Sequence, residues 1–516
     1  RDALAAARTV LGPTHPQTLT IMNNLALLLE SQGTFDQAEA LYLEPLETLR
    51  AQGQGDRPEA LAMENNLAYL YLLQGAGAEA QRRFAELFDR FAGTLGPTHP
   101  DTLRALNNRG RAEALLGDLS AARQSLLSAL AGREARYGPL HRDVIRSQID
   151  LGSLEQQEGA LAAAEARLRE ALSRAERGLG EAHPYTFDAL NALAAVLRQQ
   201  GKRDAAFRLQ RTGFERRTAF FQRVLPVTGE NAREGYLRLH RPELDAFLAL
   251  IPDHPDAAEA GRALLEVSLA RKGLLLAIAS DIAQIAALGL NPELSALTEA
   301  LAEARETLAQ LTLGGPGEGD PLAHLAKLRA EEGRIEDLQR ALGRASLRYQ
   351  QTIEAPSVDE LAAQLPAEGA ALVDFLAYRD DEGTRRLLAA VLQRDSDGGL
   401  AVQPVTFAPL DKIEEGIRYY RELIQDEGVG DDELLEEGMF LYEDVWAPVA
   451  EYLDPDLPVY LVPDGLLNIL PFDALVDEDE RYLLETLDLR VLSSARDLLP
   501  HRLPAAGAPP LVMAGP

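Results

Sequence analysis

Pairs of asparagines occur three times in this sequence at intervals of 42 residues, each pair inside a stretch that otherwise reads as an apolar helix, and the next two copies carry Ile149-Asp150 and Asn191-Ala192. Asparagine is a mediocre helix former, so its repeated use within helices needs a reason. An amide both donates and accepts hydrogen bonds, and a row of amides can hold the backbone of an extended peptide. The alternative is a hydrogen bond from each amide to the neighbouring copy of the stretch, and the sequence leaves both roles open. The candidate peptide-binding residues are Asn23, Asn24, Asn65, Asn66, Asn107, Asn108, Asp150 and Asn191.

Four histidines also share one position of the 42-residue period, namely His15, His99, His141 and His183, with Arg57 in the remaining copy. Histidines in register could bind a metal or sense pH. Successive members are a whole repeat apart, however, so they should lie along an edge and not converge on one point. We therefore expect them to pack loops and cap helices, and we expect no metal site.

The residue types needed for several kinds of catalysis are missing. The chain has no cysteine, which excludes a thiolate nucleophile, a thiolate metal site and a disulfide scaffold within it. It also has no phosphate-binding loop of the Walker type, no His-Glu-x-x-His and no Gly-x-Ser-x-Gly. The acidic runs at 426–427 and 431–437 read as solvated loops and helix ends. We expect no catalytic residue and no cofactor.

Small residues mark the elements that must position the asparagines. Over residues 1–213, three positions of each 42-residue copy are restricted to Ala or Gly, and one of them is always Gly. A glycine between two apolar stretches predicts a helix end with positive φ, and small residues predict close helix crossings. The pattern predicts a solenoid of helical hairpins. Hairpins should begin near Thr18, Ala60, Thr102, Val144 and Thr186, with small residues buried at Ala26, Ala68, Gly110, Gly152 and Ala194.

The pattern within one copy indicates which helical repeat this is. A period of 42 falls in the range of HEAT and armadillo repeats, whereas Leu67-Ala68, Tyr71, Ala80 and Phe84 follow the spacing of tetratricopeptide repeats. The extra length lies in a linker, Leu11–Thr18, that recurs almost unchanged at 95–102. The region resembles the long-linker tetratricopeptide repeats of kinesin light chains and of many bacterial signalling proteins. That resemblance implies that the first helices line a groove for a protein or peptide partner.

Residues 214–355 lose the period but remain helical in character. Leucines keep heptad-like spacing on both sides of the glycine-rich stretch Gly314–Pro321. This predicts an antiparallel helical hairpin with a narrow apolar seam, and hence a connector between domains.

The pattern changes to strands and helices at about residue 356. Strands are expected at 371–378, 386–392, 401–407, 459–462, 489–492 and 511–514, and helices at 413–424 and 434–452. Strands alternating with helices indicate an α/β layer domain over 356–516. We expect Asp464-Gly465 to form a turn and Pro471-Phe472 to pack against the sheet.

Val459–Leu475, together with 441–449, 482–485 and 493–498, resembles the N-terminal part of a CHAT domain, a caspase-like module associated with tetratricopeptide repeats. In that family a Cys and a His that follow later strands form the catalytic dyad. Neither can be placed here, since the chain has no Cys and its last histidine, His501, lies in a proline-rich loop. The resemblance therefore implies an α/β caspase-like domain that is incomplete at its C-terminus and inactive as given.

Composition limits the partners and the location. The net charge of −30 argues against nucleic acid and anionic membranes as direct partners. The most apolar stretch, 273–290, contains Asp281 and reads as a buried helix. The chain begins at Arg1 and not at Met, so we expect a missing N-terminus; a cytoplasmic location is expected, although the sequence gives no information about a signal peptide.

Two functions follow from these observations. In the first, the chain is the regulatory, peptide-binding portion of a caspase-like bacterial signalling peptidase, and its repeats sense a protein partner. In the second, it is a non-enzymatic scaffold or adaptor whose C-terminal module has lost its chemistry. A His-Gly and then a Cys encoded beyond Pro516 would favour the first.

Overall fold

A computed structural model of the chain describes residues 2–287, 292–314, 321–346, 356–394, 399–426 and 430–500. The chain folds into two compact units, residues 1–216 with 232–240, and residues 217–231 with 241–516. The expected division into three domains, at residues 213 and 355, stays a prediction. In the described ranges, no helix combines the length and the apolar character that crossing a bilayer requires.

Helical hairpins make up the first unit. Their first helices start 42 residues apart, two residues before the expected positions, because the linker histidine or Arg57 is the N-cap. In four of the five hairpins proline then occupies the first turn, where a missing N–H costs nothing. The helices are α1 Asp2–Leu11, α2 Pro16–Ser31, α3 Phe35–Ala51, α4 Pro58–Leu73, α5 Gly77–Leu95, α6 Pro100–Leu115, α7 Leu119–Tyr137, α8 Arg142–Gln157, α9 Leu161–Gly178, α10 Pro184–Gln199, α11 Arg203–Val224 and α12 Glu230–Leu239.

Close packing explains the small residues. Ala26 and Ala68 are fully buried, and a Cβ on Gly110 would lie 2.8 Å from the Leu126 side chain of the second helix of its own hairpin. Gly152 meets Leu168 in the same way, at 2.6 Å. The invariant glycine after each first helix has φ between 70° and 82°, which ends the helix as expected. These contacts confirm the predicted solenoid of hairpins.

Helices and one sheet form the second unit. Helices α16 and α17 pack against each other as the expected antiparallel hairpin, with Leu294, Leu301 and Leu342 buried. Most of the predicted glycine-rich break, residues 315–320, lies outside the described residues. Before the sheet come α13 Arg241–Leu248, α14 Ala257–Arg271, α15 Leu274–Ala287, α16 Pro292–Gly314, α17 Pro321–Ser346 and α18 Val358–Ala362.

The five-stranded sheet is mixed, with the strand order β3-β2-β1-β4-β5. Strands β1, β2 and β3 form an antiparallel meander, and β4 and β5 add to it in parallel. The expected strands are present with ends shifted by at most two residues, except that 511–514 lies outside the described residues. The strands are β1 Ala370–Arg379, β2 Arg385–Arg394, β3 Leu400–Thr406, β4 Val459–Val462 and β5 Leu489–Val491.

Helices cover both faces of the sheet. Val373 and Phe375 of β1 join a core with α19 and Trp446 on one face, while α14 contacts β1, β2 and β3 on the other. Residue alternation along a strand places these two sets on opposite faces. The helices that follow the meander are α19 Leu410–Gln425, α20 Asp431–Leu441, α21 Ala447–Ala450 and α22 Leu483–Thr486.

One expectation for this region was wrong in detail. The order of elements is the expected one, with three strands in direct succession before α19. The single helix expected at 434–452, however, is interrupted by a π-helical turn, Tyr442–Trp446, between α20 and α21. Pro448 lacks the N–H that a regular α-helix would donate to Asp444, and the wider turn falls just before it.

Candidate functional site

The first helices of the hairpins lie side by side. Helix α2 contacts α4, α4 contacts α6, α6 contacts α8 and α8 contacts α10, whereas the described second helices make no comparable contacts with one another. In a curved stack, the helices nearest to each other lie on the inside of the curve. We call the side of these helices that carries residues 24, 66, 108, 150 and 192, together with 27, 69, 111, 153 and 195, the inner face.

In two of the three pairs the first asparagine bonds to the following repeat, whereas Asn65 donates to Asn66 of its own pair. Asn23 Oδ1 accepts a hydrogen bond of 2.8 Å from Asn66 Nδ2, and Asn107 Nδ2 donates to Asp150 Oδ2 at 2.7 Å. Asn107 is fully buried, and its Oδ1 accepts from Arg133 Nη1 and from the Ser147 hydroxyl. Asn65 is also buried, and Asn191 is half-buried. Inter-repeat bonding therefore accounts for part of the asparagine pattern.

The second member of each pair lies on the inner face. Asn24 is exposed and Asn66 is half-buried, whereas Asn108 and Asp150 are 8% and 9% exposed. Asn66 and Asp150 are each held by the preceding repeat's first asparagine. The arrangement fixes the orientation of two inner-face side chains before any ligand arrives. Binding of a peptide by these residues stays a prediction.

Charged and aromatic side chains extend the inner face through the later repeats. The Arg111 guanidinium lies over the Tyr69 ring at 5.2 Å and 3.4 Å from Asp150. Arg146 pairs with Asp150 at 3.1 Å and with Asp188 at 2.6 Å. Burial lowers the pKa of Arg146, but the two carboxylates outweigh burial and raise its pKa above the usual value. Sequence analysis missed these residues; the signal for them was the change at position 111 from an apolar or aromatic residue to Arg.

The histidine column caps helices. The Nδ1 atoms of His15, His99, His141 and His183 each accept a hydrogen bond of 3.1–3.3 Å from the backbone N–H two residues further on. Each histidine is the N-cap of a first helix. Since Nδ1 is already used, the capping role expected from the sequence is confirmed. The described part of the chain holds no cluster of His, Cys, Asp or Glu arranged to bind a metal.

The turn after β4 has the structural role expected of it. Asp464 Oδ2 accepts a hydrogen bond of 2.8 Å from the Ala377 N–H of β1, and Oδ1 accepts from the Gly465 N–H. Phe472 is buried in the core, where its ring centroid lies 6.2 Å from that of Trp446. The half-buried Asp464 thus has both carboxylate oxygens engaged by backbone N–H groups. His501 lies outside the described residues.

A buried charged cluster next to this turn was not found from the sequence. Lys272 Nζ donates to Asp374 Oδ1 at 3.0 Å, to the Phe375 carbonyl at 2.9 Å and to the Val462 carbonyl at 3.0 Å. The Ser268 hydroxyl donates to the other Asp374 oxygen at 2.6 Å. Burial raises the pKa of Asp374, against the opposing effects of Lys272 and Ser268. All three ammonium protons are used, so the cluster ties α14 to the sheet and leaves no donor for a substrate. Its signal was one Asp inside the apolar run of β1.

Comparison with known families agrees with both halves of this description. A family model described as a tetratricopeptide repeat matches residues 1–51, 59–135 and 136–219. A second model, the CHAT domain, matches residues 435–516. The chain joins tetratricopeptide repeats to a CHAT domain. No curated protein matches it.

Solved structures that resemble parts of this TPR–CHAT chain include the following three. A putative kinesin light chain from Podosopora anserina with nearly identical TPR-like repeats is 23% identical, covering 39% of this chain and 96% of its own, with a TM-score of 0.32. BtubC (BKLC) from P. vanneervenii is 18% identical over 49% of this chain and 89% of its own, with a TM-score of 0.32. The apo form of RapI is 13% identical over 64% and 96%, with a TM-score of 0.34.

Proposed function

We propose that the repeats bind an extended segment of a protein partner along the inner face, and that this binding regulates the CHAT domain. The CHAT portion is then the structural and regulatory part of a caspase-like cysteine peptidase. The proposal for the repeats rests on one observation, the inter-repeat bonds from Asn23 to Asn66 and from Asn107 to Asp150. They orient inner-face side chains in advance, which lowers the entropy that a peptide must lose on binding.

The inner face suggests what kind of segment would bind. In the first two repeats it carries uncharged groups, Asn24, Leu27, Asn66 and Tyr69. An amide there can pair with the backbone of any extended peptide, while the aromatic and aliphatic groups favour an apolar side chain. In the later repeats Arg111 and Arg146 are already paired with carboxylates, so charge selectivity is weaker than two unpaired arginines would give.

Peptides selected from a random displayed library against the full chain test the groove. Asn24→Ala should weaken binding of a selected peptide by about 0.5–1.5 kcal/mol, the net value of one neutral hydrogen bond, without changing the melting temperature. Asn107→Ala is the control, because it removes a buried inter-repeat amide and should lower stability by about 1–3 kcal/mol. If Asn24→Ala leaves affinity unchanged, or no peptide is selected, the groove proposal fails.

Assays of peptidase activity distinguish the regulatory portion of a peptidase from a non-enzymatic scaffold. The chain has no cysteine, so it should neither hydrolyse fluorogenic peptides nor react with a cysteine-directed covalent probe. A gene product extended beyond Pro516 that contains a His and a Cys should label with the probe if the peptidase proposal holds. A stop codon directly after Pro516 would instead favour the scaffold. Turnover by the purified chain itself would contradict the assignment of a thiolate mechanism.

A further inference from the structure

The turn of the first hairpin differs from the four turns that follow it. Each turn contains a glycine with positive φ, at positions 33, 75, 117, 159 and 201. A Cβ added at the last four would have no atom of another residue within 4 Å, whereas a Cβ at Gly33 would lie 3.1 Å from the Gly235 carbonyl oxygen. Among these five turn glycines, all of them described, only Gly33 therefore lies directly against another segment.

The covering segment makes a contact between two backbones. A Cβ built on Gly235 would overlap the carbonyl oxygen of Gln32, the residue that caps the C-terminus of α2. That carbonyl belongs to the last turn of the helix, where carbonyls lack helical partners, and a glycine Cα can approach it as a weak C–H donor. Glycine weakens a helix interior, so its use at this point of α12 is explained by the approach.

Residues 232–240 belong to the same compact unit as the repeats, although they follow the last repeat in sequence. Ala232 and Gly235 are buried, whereas Glu234 and Arg238 on the same helix are exposed. One side of a short, polar helix therefore docks on the first repeat. A helix of this length is marginal alone, so its docking should open more readily than the repeats unfold.

We propose that residues 232–240, here named the clasp, dock reversibly on the first repeat and lower its affinity for the partner while they are docked. The clasp holds the end of α2, and α2 also carries the inner-face residues Asn24 and Leu27. Binding of a partner that moves α2 is therefore coupled to docking of the clasp. Such coupling is reciprocal, so release of the clasp favours partner binding, and partner binding favours release of the clasp. This inference rests on the proposed peptide binding by the repeats.

Hydrogen exchange of the full chain with Gly235→Ala tests the clasp. In an unrestrained helix this substitution slows exchange, because Ala is the better helix former. Here the added Cβ should expel the clasp, so that amides of residues 232–240 and of the turn at 32–34 exchange about tenfold faster. Slower or unchanged exchange would overturn the clasp.

A matched pair of turn variants gives a second test that does not depend on α12. Gly33→Ala and Gly75→Ala introduce the same strain at φ values of 70° and 79°, but only Gly33 faces the clasp. Faster exchange of residues 232–240 in Gly33→Ala and not in Gly75→Ala supports the contact, and equal behaviour of the two variants contradicts it.

The regulatory role is measured with a peptide selected from the random library. Gly235→Ala should bind it severalfold more tightly than the unchanged chain. Equal affinity, with faster exchange of the clasp, overturns the restraint while leaving the groove intact. If neither protein binds a peptide, the proposed function is overturned. The exchange data then test only whether the clasp docks on the first repeat.

Discussion

At the scale of single residues, capping makes the solenoid sensitive to pH. Four of the five first helices start on a histidine whose Nδ1 must be unprotonated to accept the capping hydrogen bond. A protonated Nδ1 is a donor and cannot accept this bond.

His183 should show this effect in its titration. Burial, followed by the nearby Arg142 charge, lowers the pKa of His183 below its usual value, so the folded state binds the proton less readily than the unfolded state. The cap's contribution is complete above the unfolded pKa of about 6.5 and is lost as pH falls through the lower folded value. Replacing His183 by Asn, a cap that does not titrate, should flatten the dependence of the melting temperature on pH between about 5 and 7. An unchanged slope would contradict it.

Glu30 should make the stability of the protein depend on pH in the opposite direction. Burial raises the pKa of this carboxyl to about 8, although the Tyr42 hydroxyl, 3.5 Å away, favours the charged form. The contribution of Glu30 to the stability of the folded state is fully present below its unfolded pKa and is lost as pH rises through about 8. Glu30→Gln should therefore stabilise the protein by about 1 kcal/mol or more at pH 8–9, with little effect near pH 4. Chemical denaturation at both values measures it, and Glu44→Gln, on an exposed carboxylate, is the control.

At the scale of elements, helix α14 is fixed to the sheet by the buried pair of Lys272 and Asp374. The Asp374 side chain is fully buried and the Lys272 side chain is 11% exposed. A buried pair of this kind contributes little net stability, since desolvation offsets the attraction, but loss of one partner leaves an uncompensated charge. The pair therefore specifies where α14 lies more than it strengthens the fold.

Replacing the two partners separately and together measures how strongly Lys272 and Asp374 depend on each other. Lys272→Met should cost about 3–5 kcal/mol in the free energy of unfolding, and adding Asp374→Leu should recover most of the loss. Urea denaturation of the two single variants and the double variant gives the coupling. If the loss of unfolding free energy in the double variant equals the sum of the losses in the two single variants, the two residues act independently.

At the scale of the whole molecule, the net charge is distributed very unevenly. Residues 1–224 contain 27 basic and 27 acidic side chains, whereas residues 356–516 contain 11 basic and 34 acidic ones. The entire excess of negative charge therefore lies outside the repeats. Like charges repel within a compact domain, and added salt screens them.

Salt should accordingly stabilise the sheet-containing region more than the repeats. Raising sodium chloride from about 0.05 to 0.5 M shortens the screening length from above 10 Å to below 8 Å. Hydrogen exchange of β1 amides should slow over this range, while that of the buried amides in α6 and α8 should change less. Equal slowing in both regions would contradict the role assigned to charge distribution.

The sequence by itself determined the repeat and most of its elements. The glycine and alanine positions predicted the hairpins, because a positive φ and a close crossing each admit few residue types. Strong apolar runs predicted most strands of the sheet. The capping histidines were also predicted, since they share one linker position, which in three of the four cases lies just before a proline that can open a helix.

Tertiary structure alone decided the roles that depend on distant neighbours. The asparagines of these pairs are alike in sequence terms, yet Asn107 bonds across to Asp150 while Asn24, in another pair, stays exposed. Lys272 and Asp374 are 102 residues apart, and Gly235 meets Gln32 over a still longer separation. Local patterns report which backbone conformations a segment can adopt. They do not report which of many polar or glycine residues will meet, because those meetings are set by how completed elements pack.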